Sequence, residues 1–258
     1  MTLVNDLHAR IATSTTQLLR EHAAHPFHIL RERGAVAALR SLLLNQAPLS
    51  TPVTARLKRQ DAMTEDASGT CETLRVQMEI TVLEPVDGLC GTPPRMKTVD
   101  LAVLSDSPVL VHTTHGDGDV LQRMPAESLA AAIEIKACPT NIPAQKGLVL
   151  EDLFALLALC ETHGIQAHFV LLDKAQGLYG RTHDGQHSHL VWDAVHTQTF
   201  VIKHKGRKLR EFPSFQSAGL VVERGHQAPC DTPFVTCWFL APGQDGRWHA
   251  DSRRIRRM

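Results

Sequence analysis

The segment Ala131 to Ala137, AAIEIKA, sets one carboxylate and one ammonium, Glu134 and Lys136, into an apolar run and holds the sequence's only Glu-x-Lys. Side chains two apart on a strand share a face, so Glu134 and Lys136 would project together while Ile133 and Ile135 pack on the other side. Asp100 stands upstream in TVDLAVL, with Val99, Leu101 and Val103 expected to turn the opposite way. If the two strands are neighbours, the three polar groups form one cluster. Two carboxylates converging on an open position suit a hard divalent cation such as Mg²⁺ or Mn²⁺, which prefers oxygen ligands. A lysine beside that ion can hold or polarise an attacking water whose pKa the ion lowers. The competing reading is a solvated Glu-Lys pair on an edge strand, where such pairs contribute little. The flanking isoleucines and alanines favour a central strand, in which a charged pair is costly unless a site requires it.

The chain that must position these residues has 258 residues, 43% hydrophobic and 21% charged, enough to bury a full core. No apolar run approaches the roughly 18 residues of a membrane span, and the N-terminal stretch is polar and helix-patterned, so the expected location is the cytoplasm. Lys+Arg and Asp+Glu are both 27, so any nucleic-acid footprint has to be local. Six scattered cysteines without a C-x-x-C pair read as reduced packing thiols.

Apolar spacing predicts one helix from about Leu3 to Ala24 through Leu3, Leu7, Ile11, Leu18 and Leu19 and, beyond Pro26, a second through Ile29, Val36, Leu39, Leu42 and Leu43, stopped at Pro48. The polar stretch from Thr51 to Thr73 lacks a clear period and reads as a loop or excursion. Val76, Met78, Ile80 and Val82 alternate with Gln77, Glu79 and Thr81, the pattern of a half-buried strand. KTVDLAVL, SPVLVHTT and SLAAAIEIKA read as further strands, and Pro139 to Gly147 as a loop. VLEDLFALLALCETHG is a helix with Gly164 as its C-terminal cap, and IQAHFVLLDK is a strand buried on both faces. Beyond, HLVWDAV, TQTFVIKHKG, AGLVVERG and PFVTCWFL extend the sheet or add a small β unit. This order describes one domain, an α/β sandwich with a central mixed sheet, its core at about 29–174 and a β-rich extension at about 175–258.

Asp100 followed by Glu134-Ile135-Lys136, on successive strands after a helix, resembles the PD-(D/E)xK phosphodiesterase superfamily, the restriction-endonuclease-like fold. The resemblance implies a three-layer sandwich and an Mg²⁺-dependent endonuclease, with Mn²⁺ as a substitute, in which metal-activated water hydrolyses phosphodiester bonds. It implies DNA as substrate, a role in restriction, phage defence or repair, and a homodimer. By the same resemblance Asp100 and Glu134 hold the metal, the main-chain carbonyl of Ile135 adds a ligand, and Lys136 orients or helps deprotonate the water. Glu32, on the first core helix, completes the site, and Glu79 competes with it for that place. Val99 stands where the family usually has proline before the aspartate. Two other readings stay open. One is a nuclease-fold chain that no longer cuts and binds nucleic acid or protein; the other is a structural salt bridge, which predicts Asp100 far from Glu134.

Basic residues cluster late in the chain. Strand alternation in IKHKGRKLR would align Lys203, Lys205 and Arg207 as a phosphate track, and RRIRRM adds Arg253, Arg254, Arg256 and Arg257, a second basic segment or only a solubilising tail. Gln145 and Lys146 read as loop residues. His183, His187 and His189, like His112 and His115, sit in turn-rich stretches without metal-ligand spacing and read as loop histidines. HGDGDV lacks the length and terminal Glu of a calcium loop, and there is no Gly-x-Ser-x-Gly elbow or Gly-rich phosphate loop.

Overall fold

The computed structural model describes residues 4–25, 32–59, 69–86, 95–106, 109–116, 119–138, 142–173, 200–204, 207–212, 214–224 and 232–258. Leu7, Ile11, Leu18 and Leu19 form the buried stripe of α1 (Val4–Ala24), and Ala35, Val36, Leu39 and Leu43 that of α2 (Glu32–Leu44). The strands are β1 (Val53–Arg59), β2 (Gly69–Thr73), β3 (Val76–Val86), β4 (Arg95–Leu104), β5 (Val109–Gly116), β6 (Asp119–Met124) and β7 (Leu129–Cys138). Then come α3 (Ile142–His163), β8 (Gln166–Asp173), β9 (Phe200–His204), β10 (Arg207–Phe212), β11 (Leu220–Arg224), β12 (Val235–Pro242) and β13 (Trp248–Arg257).

Eleven strands make one sheet in the order β11-β13-β12-β8-β7-β4-β3-β6-β5-β1-β2, and β9 pairs with β10 apart from it. β7 runs parallel to β8 and antiparallel to β4, so the sheet is mixed. One face, with Leu101, Val103, Ile133, Ile135, Val170 and Leu172, packs on α1 and α2; the other, with Ala102, Leu104, Ala132 and Phe169, packs on α3. The result is the expected sandwich with a central mixed sheet and β-rich C-terminal part, consistent with the restriction-endonuclease-like fold. Burial of β8 on both faces follows from its place between two helical layers. Among the described residues no helix is long and apolar enough to cross a membrane.

Four local expectations are corrected. The stretch from Thr51 to Thr73 contains β1 and β2 rather than being a loop. Val53 and Ala55 are buried between exposed Thr54 and Arg56, and β2 is an exposed edge, where polar residues are the rule. α3 begins at Ile142, so Gln145 and Lys146 are helical, and Pro143 falls in the first turn, where its missing N–H leaves no intrahelical bond unmade. Its end is as expected: Gly164 has φ +68° and donates its N–H to the Cys160 carbonyl at 2.9 Å. RRIRRM is no free tail but the end of β13, paired along both edges.

The fourth correction concerns β3 and β4. Val76 and Met78 pack toward α1 and α2, whereas Ile80 and Val82 belong to the core under α3. The reversal falls at Glu79, whose φ of 53° makes it the one non-glycine residue with positive φ among those described. Opposite it β4 reverses too. Leu101 and Val103 face α1 and α2, but Val99 faces α3.

Candidate active site

The ladder between β4 and β7 runs through Ala102↔Ala132 and Leu101↔Ile133, which brings Asp100 beside Glu134 and Ile135. There a side chain replaces the backbone partner, and the Ile135 N–H donates to Asp100 Oδ2 at 2.7 Å. The N–H and C=O of one strand residue point to the same lateral side, so the Ile135 carbonyl faces the same gap.

Glu134 projects toward α3 and is only 4% exposed. Its Oε1 accepts a hydrogen bond from Lys97 Nζ at 3.0 Å and lies 3.7 Å from Lys136 Nζ, while its Oε2 is buried with no hydrogen-bond partner. Asp152, from the first half of α3, joins both lysines: Lys97 Nζ at 2.6 Å from Oδ1 and Lys136 Nζ at 3.1 Å from Oδ2. Glu32, the first residue of α2, approaches Lys136 Nζ from the outer side at 3.6 Å. With every group ionised, the four carboxylates of Asp100, Glu134, Asp152 and Glu32 outnumber the two ammoniums of Lys97 and Lys136 by two charges, which matches a divalent cation.

Burial is the largest influence on these groups. It pushes Glu134 up to about 8 against the pull of Lys97, with Asp152 and Asp100 adding to the rise and Lys136 opposing it. Burial raises Asp100 as well, opposed by the Ile135 N–H and Lys136. For Lys136 burial acts downward, but Asp152, Glu134 and Glu32 outweigh it and hold the ammonium above its ordinary value; Glu134 and Asp152 do the same for Lys97. Both lysines therefore enter any chemistry as cations.

Asp100, Glu134, Ile135, Lys136 and Glu32 thus meet, and the separation of Asp100 from Glu134 that a chance salt bridge requires does not occur. Glu79 stays outside, exposed and 3.2 Å from Arg33. The phosphate track is not laid along one strand. Lys203 lies on β9 and Arg207 on β10, with Lys203 paired to Lys208 and Arg207 to His204, while Lys205 lies outside the described residues. HLVWDAV, His183, His187 and His189 lie outside them too, and His112 and His115 are on β5. The β13 arginines have partners of their own: Arg253 with Asp251 at 2.7 Å, Arg256 with Glu223 at 2.7 Å, Arg257 with Glu161 at 2.9 Å, and Arg254 over the Phe234 ring at 4.6 Å.

The sequence reading missed Lys97 and Asp152. Lys97 is three residues from Asp100, an odd spacing that a regular strand sends to opposite faces; only the reversal near Asp100 turns it toward α3. Asp152 sits in an apolar helix beside Glu151, and nothing in the pattern separates the two. Among the described residues no three His, Cys, Asp or Glu side chains are gathered as a metal site, and Lys97 and Lys136 stand between the carboxylates. The donors nonetheless suit a hard cation: all are oxygens, the set is negative, and Glu134 Oε2 is free of hydrogen bonds.

No family model and no curated protein matches the chain. Among solved structures it is similar to NucC of P. aeruginosa ATCC27853 in its cAAA-bound form, with TM-score 0.32 and 10% identity over 98% of this chain and 84% of that one. NucC of E. coli MS115-1, also cAAA-bound, gives TM-score 0.28 and 11% identity over 98% and 84%. At these scores no activity carries over to this chain.

Proposed function

We propose that this protein is a metal-dependent nuclease that hydrolyses phosphodiester bonds, with Mg²⁺ as its metal, Mn²⁺ as a substitute and DNA as its substrate. The observation that supports this most is the meeting of Asp100, Glu134 and Lys136 at the point where β4 and β7 part, with a buried Glu134 oxygen left without a hydrogen bond. Asp100, Glu134 and the Ile135 carbonyl would hold the metal, which supplies acidified water and charge neutralisation at the phosphate. Lys136, braced by Asp152 and by Glu32, stays protonated, so it serves as a hydrogen-bond donor to water or a phosphate oxygen rather than as a base.

Incubating the protein with plasmid, single-stranded DNA and RNA, each with Mg²⁺ or with EDTA, tests activity and substrate class together. Cleavage should need Mg²⁺ and fall by about 10³-fold or more in Asp100→Ala and Lys136→Ala. Undiminished Mg²⁺-dependent cleavage by Lys136→Ala would overturn the assignment. The lysine standing between the carboxylates favours a second reading, a chain of this fold that binds nucleic acid without cutting it; binding without cleavage of any of the three substrates would establish that one.

A further inference from the structure

Lys97 occupies the space that a cation bound to Glu134 would contest. Its Nζ lies 3.0 Å from Glu134 Oε1 and 2.6 Å from Asp152 Oδ1, and the residue is only 7% exposed. At that depth the two carboxylates take the place of water around the ammonium. Lys136 shares the same pair from the other side, at 3.7 Å from Glu134 Oε1 and 3.1 Å from Asp152 Oδ2. Glu134 Oε1 therefore serves two ammoniums while Oε2 serves none.

We propose that Lys97 is an internal counter-ion of the carboxylate site, and that a divalent cation binds by displacing it from Glu134 onto Asp152. This rests on the metal-site reading above and adds how that site is held in the absence of metal. A divalent ion on Glu134 would face the Lys97 ammonium as a like charge at close range, so the two cannot share the carboxylate at full strength. Asp152 makes the exchange feasible. It already has the shorter of the two contacts with Lys97, so the lysine gives up one ion pair and keeps the other. The metal-free site is thereby closed on itself, and its affinity for metal is a competition between an external and an internal cation.

The test is a calorimetric titration of the full chain with Mg²⁺ alone, without nucleic acid. Lys97→Met keeps the unbranched side chain, one atom shorter, without its charge and should bind Mg²⁺ about tenfold tighter than the wild type. Asp152→Asn removes the alternative partner and should bind it about tenfold more weakly. A purely structural role for the pair predicts that both variants weaken binding, and equal or weaker binding by Lys97→Met overturns the proposal. Should that variant fail to fold, nitrogen-15 NMR of lysine-labelled wild type decides. The Lys97 ammonium signal should shift as Mg²⁺ is added, and a fixed signal while Mg²⁺ raises the Tm overturns the proposal. Absence of any Mg²⁺ binding by wild type and Lys97→Met alike would instead remove the metal-site reading on which it rests.

Discussion

The ion pairs around Glu134 and those along β13 have similar lengths, 2.6 to 3.7 Å in the first group and 2.7 to 2.9 Å in the second. Their solvents differ. Lys97, Glu134 and Asp152 are buried on the α3 face of the sheet, whereas Arg253, Arg256 and Arg257 meet partners that are partly open to water. Exposed pairs contribute about 0–1 kcal/mol each, because water competes for both charges. A buried charge that loses its partner costs about 3–5 kcal/mol, because no water replaces it. Pairs of overlapping length are thus surface trim in one region and a mutually dependent buried set in the other.

The sharpest way to break the comparison is to remove one cation from each group. Lys97→Met should lower the unfolding free energy of the metal-free protein by about 3 kcal/mol, read from urea melts. Arg257→Ala should cost less than about 1 kcal/mol, and salt should erase most of that. Equal losses would mean that burial does not separate the two groups.

Between these extremes lie the effects of pH. Glu134 binds its proton more tightly folded, at about 8, than unfolded, so its contribution is fully present below its ordinary value of 4.5 and is lost as pH rises from there through 8. The Tm of the metal-free protein should fall across that window, and Glu134→Gln should flatten the decline. His168 works in the opposite sense. Burial, with a smaller push from nearby His8, lowers it to about 3, and its Nδ1 accepts the Trp238 indole N–H at 3.3 Å. Folding therefore excludes a proton that the unfolded chain takes up below 6.5, and stability should drop as pH falls from 6.5 toward 3. His168→Asn should soften this acid limb and leave the alkaline one unchanged.

The parts of this molecule legible in its sequence were those governed by one simple period. α1, α2, β7, β8 and the cap at Gly164 follow from apolar spacing and glycine geometry. So does the outward projection of Glu134 and Lys136 from the layer of Ile133 and Ile135. What escaped was set by partners distant in the chain. Lys97 and Asp152 are 55 residues apart, and no local pattern says that an ion pair joins them. β2 escaped because edge strands carry polar residues, β1 because its buried Val53 and Ala55 alternate with polar residues over a short run, and the placement of Lys203 and Arg207 because β9 and β10 read as one strand in the sequence.

Glu79 carries one further consequence. Because its left-handed backbone changes the phase of β3 opposite the change in β4, the two strands are each assembled from halves that answer to different hydrophobic layers. Asp100 stands at the joint, where neither layer claims its side chain. Its structural part is the single hydrogen bond that its carboxylate accepts from the buried Ile135 N–H, so Asp100→Asn, which keeps an acceptor oxygen, should spare the architecture. Fold and charge can therefore be varied separately at a single residue.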